Sequence, residues 1–275
     1  MNDINDRQKD FYESRHAAEG GAEEKAGAAT SIWTEIRRSI INWERRHGIY
    51  DLLNSTHQDW LVEKVEGDVL DLGCFNGTDL SMYLAKNSKH YTAVDLSPSA
   101  LNELKEKLEN EGVENFKIVS GDILEQRFPD NSFDLVYARS VLHHFKEVET
   151  ISNELSRILK PNGILVSHDP LQTEPINWFL RAVYRPFQTD ADWEWPFSRK
   201  TLNTLKQNFN FDNVLGLRGL SKLGLLLSIL RLEKLSNSVS NWGFNNDRKY
   251  GSKDGPYLRL TCWHVSLKMR NKKTI

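Results

Sequence analysis

At 275 residues, 39% of them hydrophobic, the chain is long enough to bury a full core and short enough for one main domain with additions. Lys and Arg number 36 against 38 Asp and Glu, a formal charge of −2, so no overall field draws a polyanion and bulk nucleic-acid binding is excluded. Two cysteines, Cys74 and Cys262, and a polar start at Met1 to Asp10 with no apolar signal lead us to expect a cytoplasmic protein.

From the N-terminus, residues 1–30 are expected to form a mobile segment, because Ala17 to Ala29 is rich in Ala, Gly and Glu and has no apolar periodicity. Over 31–66, cap helices are expected. Ile32, Trp33, Ile36, Ile40, Ile41 and Trp43 recur at helical spacing, and a second helix over Ser55 to Val65 leads into the first strand. Val69 to Leu72 predicts a buried strand that breaks at Gly73, turns through Cys74, Phe75 and Gly77, and starts a helix near Thr78. Such a turn brings bare backbone and free helix N–H groups up to a ligand. Asp71, two residues before Gly73, would repel a pyrophosphate and favour a cation. S-adenosylmethionine carries an ammonium and a sulfonium and no phosphate, so it suits this turn better than NAD or ATP.

A second strand, Tyr91 to Asp95, is followed by the helix-opening Ser97-Pro98. Asp95 stands 22 residues after Gly73, where an acid at a strand tip accepts from both ribose hydroxyls. The third element, Phe116 to Ile123, places Asp122 to accept from an adenine amino group and Ile123 against the ring face; the alternative for both Asp95 and Asp122 is a helix N-cap, since each precedes a residue that can start a helix. Ser132 to His144 is a strand that passes into a loop and helix. A helical stretch from Glu147 to Leu159 and a turn over Lys160 to Gly163 precede a fifth strand, Gly163 to Pro170. These elements make 67–170 the expected cofactor-binding core.

Residues 171–235 are expected to be an acceptor-side insertion that also holds a late helix, near Arg199 to Asn208, and a strand, Phe211 to Leu217. Trp178, Arg181, Tyr184, Arg185, Trp193 and Trp195 are its candidate acceptor residues, since aromatics with a few polar groups line pockets. Leu220 to Leu235 is too short and too charged to span a bilayer. It is expected to be a buried helix, with a homodimer contact and a membrane-surface helix as alternatives in that order. Over 236–275 we expect a surface loop (Asn237 to Gly255), a closing strand (Tyr257 to Lys268) and a solvated basic tail (Lys268 to Lys273).

Strands alternating with helices imply an α/β fold with a doubly wound, mostly parallel sheet. The run from Val69 to Pro170 also carries Asp71-Leu72-Gly73-Cys74-Phe75-Asn76-Gly77, the second-strand acid Asp95, Phe133-Asp134-Leu135-Val136 and Leu142-His143-His144. In these motifs it resembles the class I S-adenosylmethionine-dependent methyltransferases of small molecules. The resemblance implies a seven-stranded Rossmann-like sheet whose last strand is antiparallel near the edge, and N-terminal helices closing over the cofactor. It also implies cofactor contacts from Asp71, Gly73, Cys74, Phe75, Gly77, Asp95, Leu96, Asp122, Ile123, Ala138 and Arg139. Arg139 would hold the cofactor carboxylate or bridge to a helix. One position departs: the family's central glycine is Phe75 here, which raises the alternative of a non-catalytic scaffold.

Methyl transfer from a sulfonium is an in-line displacement that needs positioning and exclusion of water, but a hydroxyl acceptor also needs its proton removed. His143 or His144 is the candidate base, with Asp169 as partner, because all three follow strand ends where ligands of parallel sheets bind. The bland alternative is that the histidines only complete the fold. No metal is expected, since adjacent histidines diverge and no zinc-type spacing occurs. The reading is therefore methyl transfer to the hydroxyl of a small, sugar- or natural-product-like acceptor. A lipid or lipid-linked saccharide at the membrane surface is the alternative acceptor.

Overall fold

The computed structural model describes residues 3–19, 38–185 and 191–273. Its seven strands are β1 (Asp68–Leu72), β2 (His90–Asp95), β3 (Phe116–Ser120), β4 (Phe133–Arg139), β5 (Leu159–Pro170), β6 (Phe209–Leu217) and β7 (His264–Asn271), in the order β3-β2-β1-β4-β5-β7-β6. From β3 to β5 all pairings are parallel, while β7 runs antiparallel between β5 and β6. The chain steps outward from β1 through β2 to β3, then returns to place β4 on the other flank of β1. That reversal opens a crevice beyond the carboxyl ends of the central strands.

The helices are α1 (Asp3–Glu19), α2 (38–46), α3 (Ile49–Leu61), α4 (Asp79–Asn87), α5 (Pro98–Asn110), α6 (Val148–Ile158), α7 (Pro175–Tyr184), α8 (Arg199–Asn208), α9 (Lys222–Ile229), α10 (Glu233–Tyr250) and α11 (Pro256–Thr261). Alternate residues of each central strand feed different layers. Val69, Leu135 and Val166 pack with Leu84 and Leu104 of α4 and α5. Leu70, Val136 and Leu165 pack with Leu155 and Leu205 of α6 and α8. Burial on both faces is why these strands read as continuous apolar runs rather than alternating ones. Caps set the helix starts: the Thr78 and Ser97 hydroxyls accept from Ser81 N and Ala100 N, and Ser198 and Thr201 form a capping box.

Five sequence expectations are corrected. The mobile stretch placed over 1–30 includes α1, which packs on the sheet end, while residues 20–30 lie outside the described residues. The cap helices break at Gly48 (φ 63°), so the second begins at Ile49 rather than Ser55; residues 31–37 lie outside the described residues. The leucine-dense stretch is not one buried helix: α9 ends at Ile229, and α10 then runs through the region expected to be a loop. The closing strand is shorter than expected, because Pro256 starts α11 and β7 begins at His264. The basic tail is not simply solvated. Lys268 is buried and its ammonium lies 2.6 Å from the Glu63 carboxylate, which Arg270 meets at 2.9 Å.

Asp247 on α10 explains how a polar helix became fixed here. Its buried carboxylate accepts from Gly219 N (3.0 Å), Leu220 N (2.8 Å), the Ser221 hydroxyl (2.6 Å) and the Tyr257 hydroxyl (2.6 Å). A Cβ at Gly243, one turn earlier, would lie 2.4 Å from Ser221 Cα, so only glycine lets the two backbones meet. Asp247→Ala strands these donors and is expected to cost about 3–5 kcal/mol, seen as a fall in melting temperature of roughly 10 °C. A shift below about 2 °C would show that the carboxylate holds nothing together.

Candidate active site

A cavity of about 280 Å³ lies over the carboxyl ends of β1, β2, β3 and β4. Gly73 and Phe75 of the first turn, Asp95 and Leu96, Gly121, Asp122 and Ile123, and Ser140 and Val141 line it, so each central strand contributes its first loop residues. Gly73 has φ 66°, and a Cβ there would lie 2.2 Å from Val141 Cγ2, so the turn requires glycine.

Asp95 is the centre of this arrangement. One carboxylate oxygen accepts from Phe75 N at 2.8 Å and the other from Ser97 N at 2.9 Å, tying the first turn to the second. Burial raises its pKa above the usual range, partly offset by those backbone N–H groups. Asp122 accepts from Leu124 N at 2.9 Å and from the Asn5 side-chain amide at 2.7 Å. An amide donor of α1 therefore already stands where the sequence placed an adenine amine.

Phe75, where the resemblance expects glycine, adopts φ 50°. Its ring sits edge-on to Tyr12 (6.2 Å between centroids) and His16 (5.7 Å) of α1. It forms part of the cavity wall and leaves the cavity open. The strained backbone is compensated by the bond to Asp95 and by these ring contacts.

Several candidate cofactor residues lie away from the cavity lining. Asp71 sits behind the turn, buried, accepting from the Tyr91 hydroxyl at 2.7 Å, and burial pushes its pKa up to about 6. Cys74 is buried, Gly77 serves the turn into α4, and Ala138 belongs to the core. Arg139 donates to Asn54 Oδ1 at 2.9 Å and lies 4.7 Å from the Tyr50 ring centroid, so it braces α3.

The two adjacent histidines have different surroundings. His144 lines the cavity. Its Nδ1 faces the Trp193 carbonyl at 2.8 Å, which assigns the proton to Nδ1 and leaves Nε2 to accept from the Tyr12 hydroxyl at 3.1 Å. Burial and the neighbouring His143 lower its pKa to about 3, so it stays neutral. His143 is turned the other way, with Nδ1 donating to Asp169 Oδ1 at 2.9 Å while its own backbone N–H reaches the same oxygen at 3.1 Å. The second Asp169 oxygen is buried and has no partner among the described residues.

Of the acceptor candidates, Trp193 is buried, its ring 5.5 Å from Phe11, and Trp195 N donates to the His143 carbonyl at 2.7 Å. Arg181 is half-buried, Arg185 donates to the Glu194 carbonyl, and the side chain of Tyr184 lies outside the described residues. Trp178 stands 59% exposed and does not line the cavity.

Sequence reasoning missed the contribution of α1. Asn5, Gln8 and Tyr12 line the cavity, and the Glu13 carboxylate accepts from the Ser97 hydroxyl at 2.6 Å. The helix is polar throughout, and the Phe11-Tyr12 pair was its one signal. A second missed feature is a buried chain beside the site. Arg218 donates to His264 Nε2 (2.9 Å), His264 Nδ1 faces His168 Nε2 (3.3 Å), His168 Nδ1 faces the Ser266 hydroxyl (2.9 Å), and that hydroxyl faces His57 Nε2 (2.9 Å). Because Arg218 can only donate, every tautomer in the chain is set, ending with His57 Nδ1 donating to the Tyr137 hydroxyl at 3.0 Å.

Comparison with known proteins accords with this geometry. The methyltransferase domain family model matches residues 70–167. Demethylmenaquinone methyltransferase of Listeria welshimeri is 30% identical over 162 residues, 53% of this chain and 68% of that protein. The chain belongs to the class I S-adenosylmethionine-dependent methyltransferases. A sterol 24-C-methyltransferase of Gibberella zeae is 34% identical over 130 residues, which are 46% of this methyltransferase and 34% of the relative's length. N-methyltransferase NodS of Bradyrhizobium japonicum, solved with S-adenosyl-L-homocysteine, shares the fold at TM-score 0.50 and 14% identity, covering 80% of this chain and 87% of NodS. The [4+2]-cyclase SpnF shares it too, at TM-score 0.51 and 17% identity over 78% of each chain, so fold by itself does not fix the reaction. S-adenosylmethionine is the cofactor of this methyltransferase. The cavity fits it: two carboxylates and apolar walls, Val94 and Ile123 among them, suit a neutral nucleoside and a cation and would repel phosphates.

Proposed function

We propose that the enzyme methylates a hydroxyl group on a small-molecule acceptor, with His143 as general base and Asp169 as its orienting partner. The observation that carries this reading is the His143–Asp169 pair at the carboxyl ends of β4 and β5. Asp169 fixes the proton on Nδ1, which leaves the Nε2 lone pair to take an acceptor proton. The rings of His143 and His144 lie 4.1 Å apart, so this base adjoins the wall of the cofactor cavity. Bound cofactor supplies an electrophilic methyl group on a sulfonium.

The chain's own residues do the rest. Asp95 would hold the ribose, Asp122 and Ile123 the adenine, and the turn from Gly73 to Gly77 would lie along the methionine part. Tyr12 and His144 close the cavity from the α1 side and exclude water. Thr173 Oγ1 and Trp193 Nε1 are buried with no partner among the described residues, so the segment leaving β5 keeps polar atoms for an acceptor. A lipid or lipid-linked acceptor is the second reading, favoured by the names of the sterol and demethylmenaquinone relatives.

His143→Asn keeps a donor toward Asp169 but removes the basic nitrogen. With a panel of hydroxylated acceptors, kcat is expected to fall about 10²–10⁴-fold while cofactor affinity is unchanged. Turnover within twofold of the parent would remove the base from the reading.

A further inference from the structure

Helices α7 and α9 leave the sheet at the end that holds the cavity, α7 beyond the end of β5 and α9 beyond the end of β6. They share a root, for Lys222 at the start of α9 lies 3.8 Å from Glu174 just before α7 and over the Trp263 ring. Both carry large apolar side chains on the outside. Trp178, Phe179 and Val183 of α7 are 56–60% exposed, and Leu226, Ile229 and Leu230 of α9 and its turn are 48–67% exposed. Leu232 and Leu235, in the turn into α10 and its first turn, are exposed as well. The inner side of α9 is already satisfied by Gly224 and Leu225, so the helix is apolar on both faces.

The charges within these apolar stretches are of one sign. Residues 175–187 contain Arg181 and Arg185 and no acid, and residues 218–232 contain Arg218, Lys222 and Arg231 and no acid; Arg218 is met by Glu44 and Lys222 by Glu174, so Arg231 carries the outward charge of the second stretch. Lys234 follows, and the intervening Glu233 is paired with Arg46 of α2. Arg231 and Lys234 are exposed among the leucines. Apolar side chains interspersed with solvent-facing bases match an anionic lipid interface, where aliphatic groups enter the acyl boundary and bases meet headgroups. A two-fold contact between copies would instead set Arg231 and Lys234 against their own equivalents or against other bases.

We propose that the outer faces of α7 and α9, with the turn into α10, dock this enzyme on anionic lipid bilayers. The apolar outer faces would lie at the membrane with the cavity end of the sheet toward it. No helix among the described residues is long and apolar enough to cross a membrane, so the attachment is peripheral. The inference stands apart from the identity of the acceptor, because it is read by binding and not by turnover.

The test is co-sedimentation of the full chain with vesicles of phosphatidylcholine alone and of phosphatidylcholine with phosphatidylglycerol, alongside sedimentation equilibrium without lipid. Binding to the anionic vesicles only is expected, weakening with salt. Leu226→Asp/Leu230→Asp should abolish it, and Arg231→Ala and Lys234→Ala should each weaken it about fivefold. All four positions are solvent-exposed, and an unchanged circular dichroism spectrum and melting temperature would show that the variants fold. The proposal is overturned if the parent ignores anionic vesicles, if the leucine variant binds them as the parent does, or if the parent is a dimer that this variant dissolves.

Discussion

Between pH 7 and pH 5 the protein is expected to lose roughly 5 kcal/mol of folding stability, most of a typical domain's reserve. The cause is a set of buried neutral imidazoles. Burial lowers His57 and His144 to about 3 and pushes His168 and His264 well below the ordinary value of about 6.5. Above pH 6.5 both folded and unfolded chains leave these groups neutral, and their pairing contributes fully. As the pH falls through 6.5 the unfolded chain takes up four protons that the folded chain refuses, so the equilibrium moves toward unfolding. Two buried acids oppose this. Asp71, raised to about 6, and Asp95 keep protons in the folded chain that the unfolded chain has lost, which stabilises it between about pH 6 and 4. Four histidines outweigh two carboxylates. Urea unfolding at pH 7, 6 and 5 measures the slope, and equal or greater stability at pH 5 would contradict it. The chain running through His264 and His168 makes the result cooperative, since one added proton breaks the tautomer order set by Arg218.

Asp95→Asn is expected to weaken S-adenosylmethionine binding about 100-fold, whereas Asp71→Asn should change it less than threefold. An amide offers one accepting oxygen in place of two, so the variant would present an N–H₂ group to either Phe75 N or Ser97 N. Losing one charge-assisted bond and misplacing the turn costs about 3 kcal/mol. Asp71 is another matter, because its side-chain partners are the inward-facing hydroxyls of Ser81 and Tyr91, and an amide oxygen can accept from a hydroxyl as well. Isothermal titration of both variants separates the two positions. Equal losses would return Asp71 to the role its sequence position suggested.

Much of the cofactor half was legible along the chain, because its signals are local. Strand followed by glycine turn and capped helix, repeated with an acid at the second strand tip, recurs wherever backbone must approach a ligand, and Gly73, Thr78, Asp95 and Ser97 are each where that pattern placed them. The resemblance around Leu142-His143-His144 likewise led to a histidine beside a carboxylate. Asp71 shows the limit of local reasoning. Its charge and spacing are plain in the sequence, but only the packing of Tyr91 shows that the carboxylate faces inward.

The amino-acid sequence by itself determined the α/β class, the strand that leads into each cavity loop and the acids at the tips of the second and third strands, since periodicity, glycine and capping residues act over a few neighbours. Tertiary structure decided what depends on contacts across the chain. It laid the polar α1 over the cavity through Asn5, Tyr12 and Glu13, and it ordered α10 by giving Asp247 four separated donors. It gave the two adjacent histidines unlike partners in Trp193 and Asp169, and turned the leucines of α9 outward because Gly224 and Leu225 already fill its inner side. In each case the deciding free energy lies in pairing groups tens to hundreds of residues apart, which no local window contains.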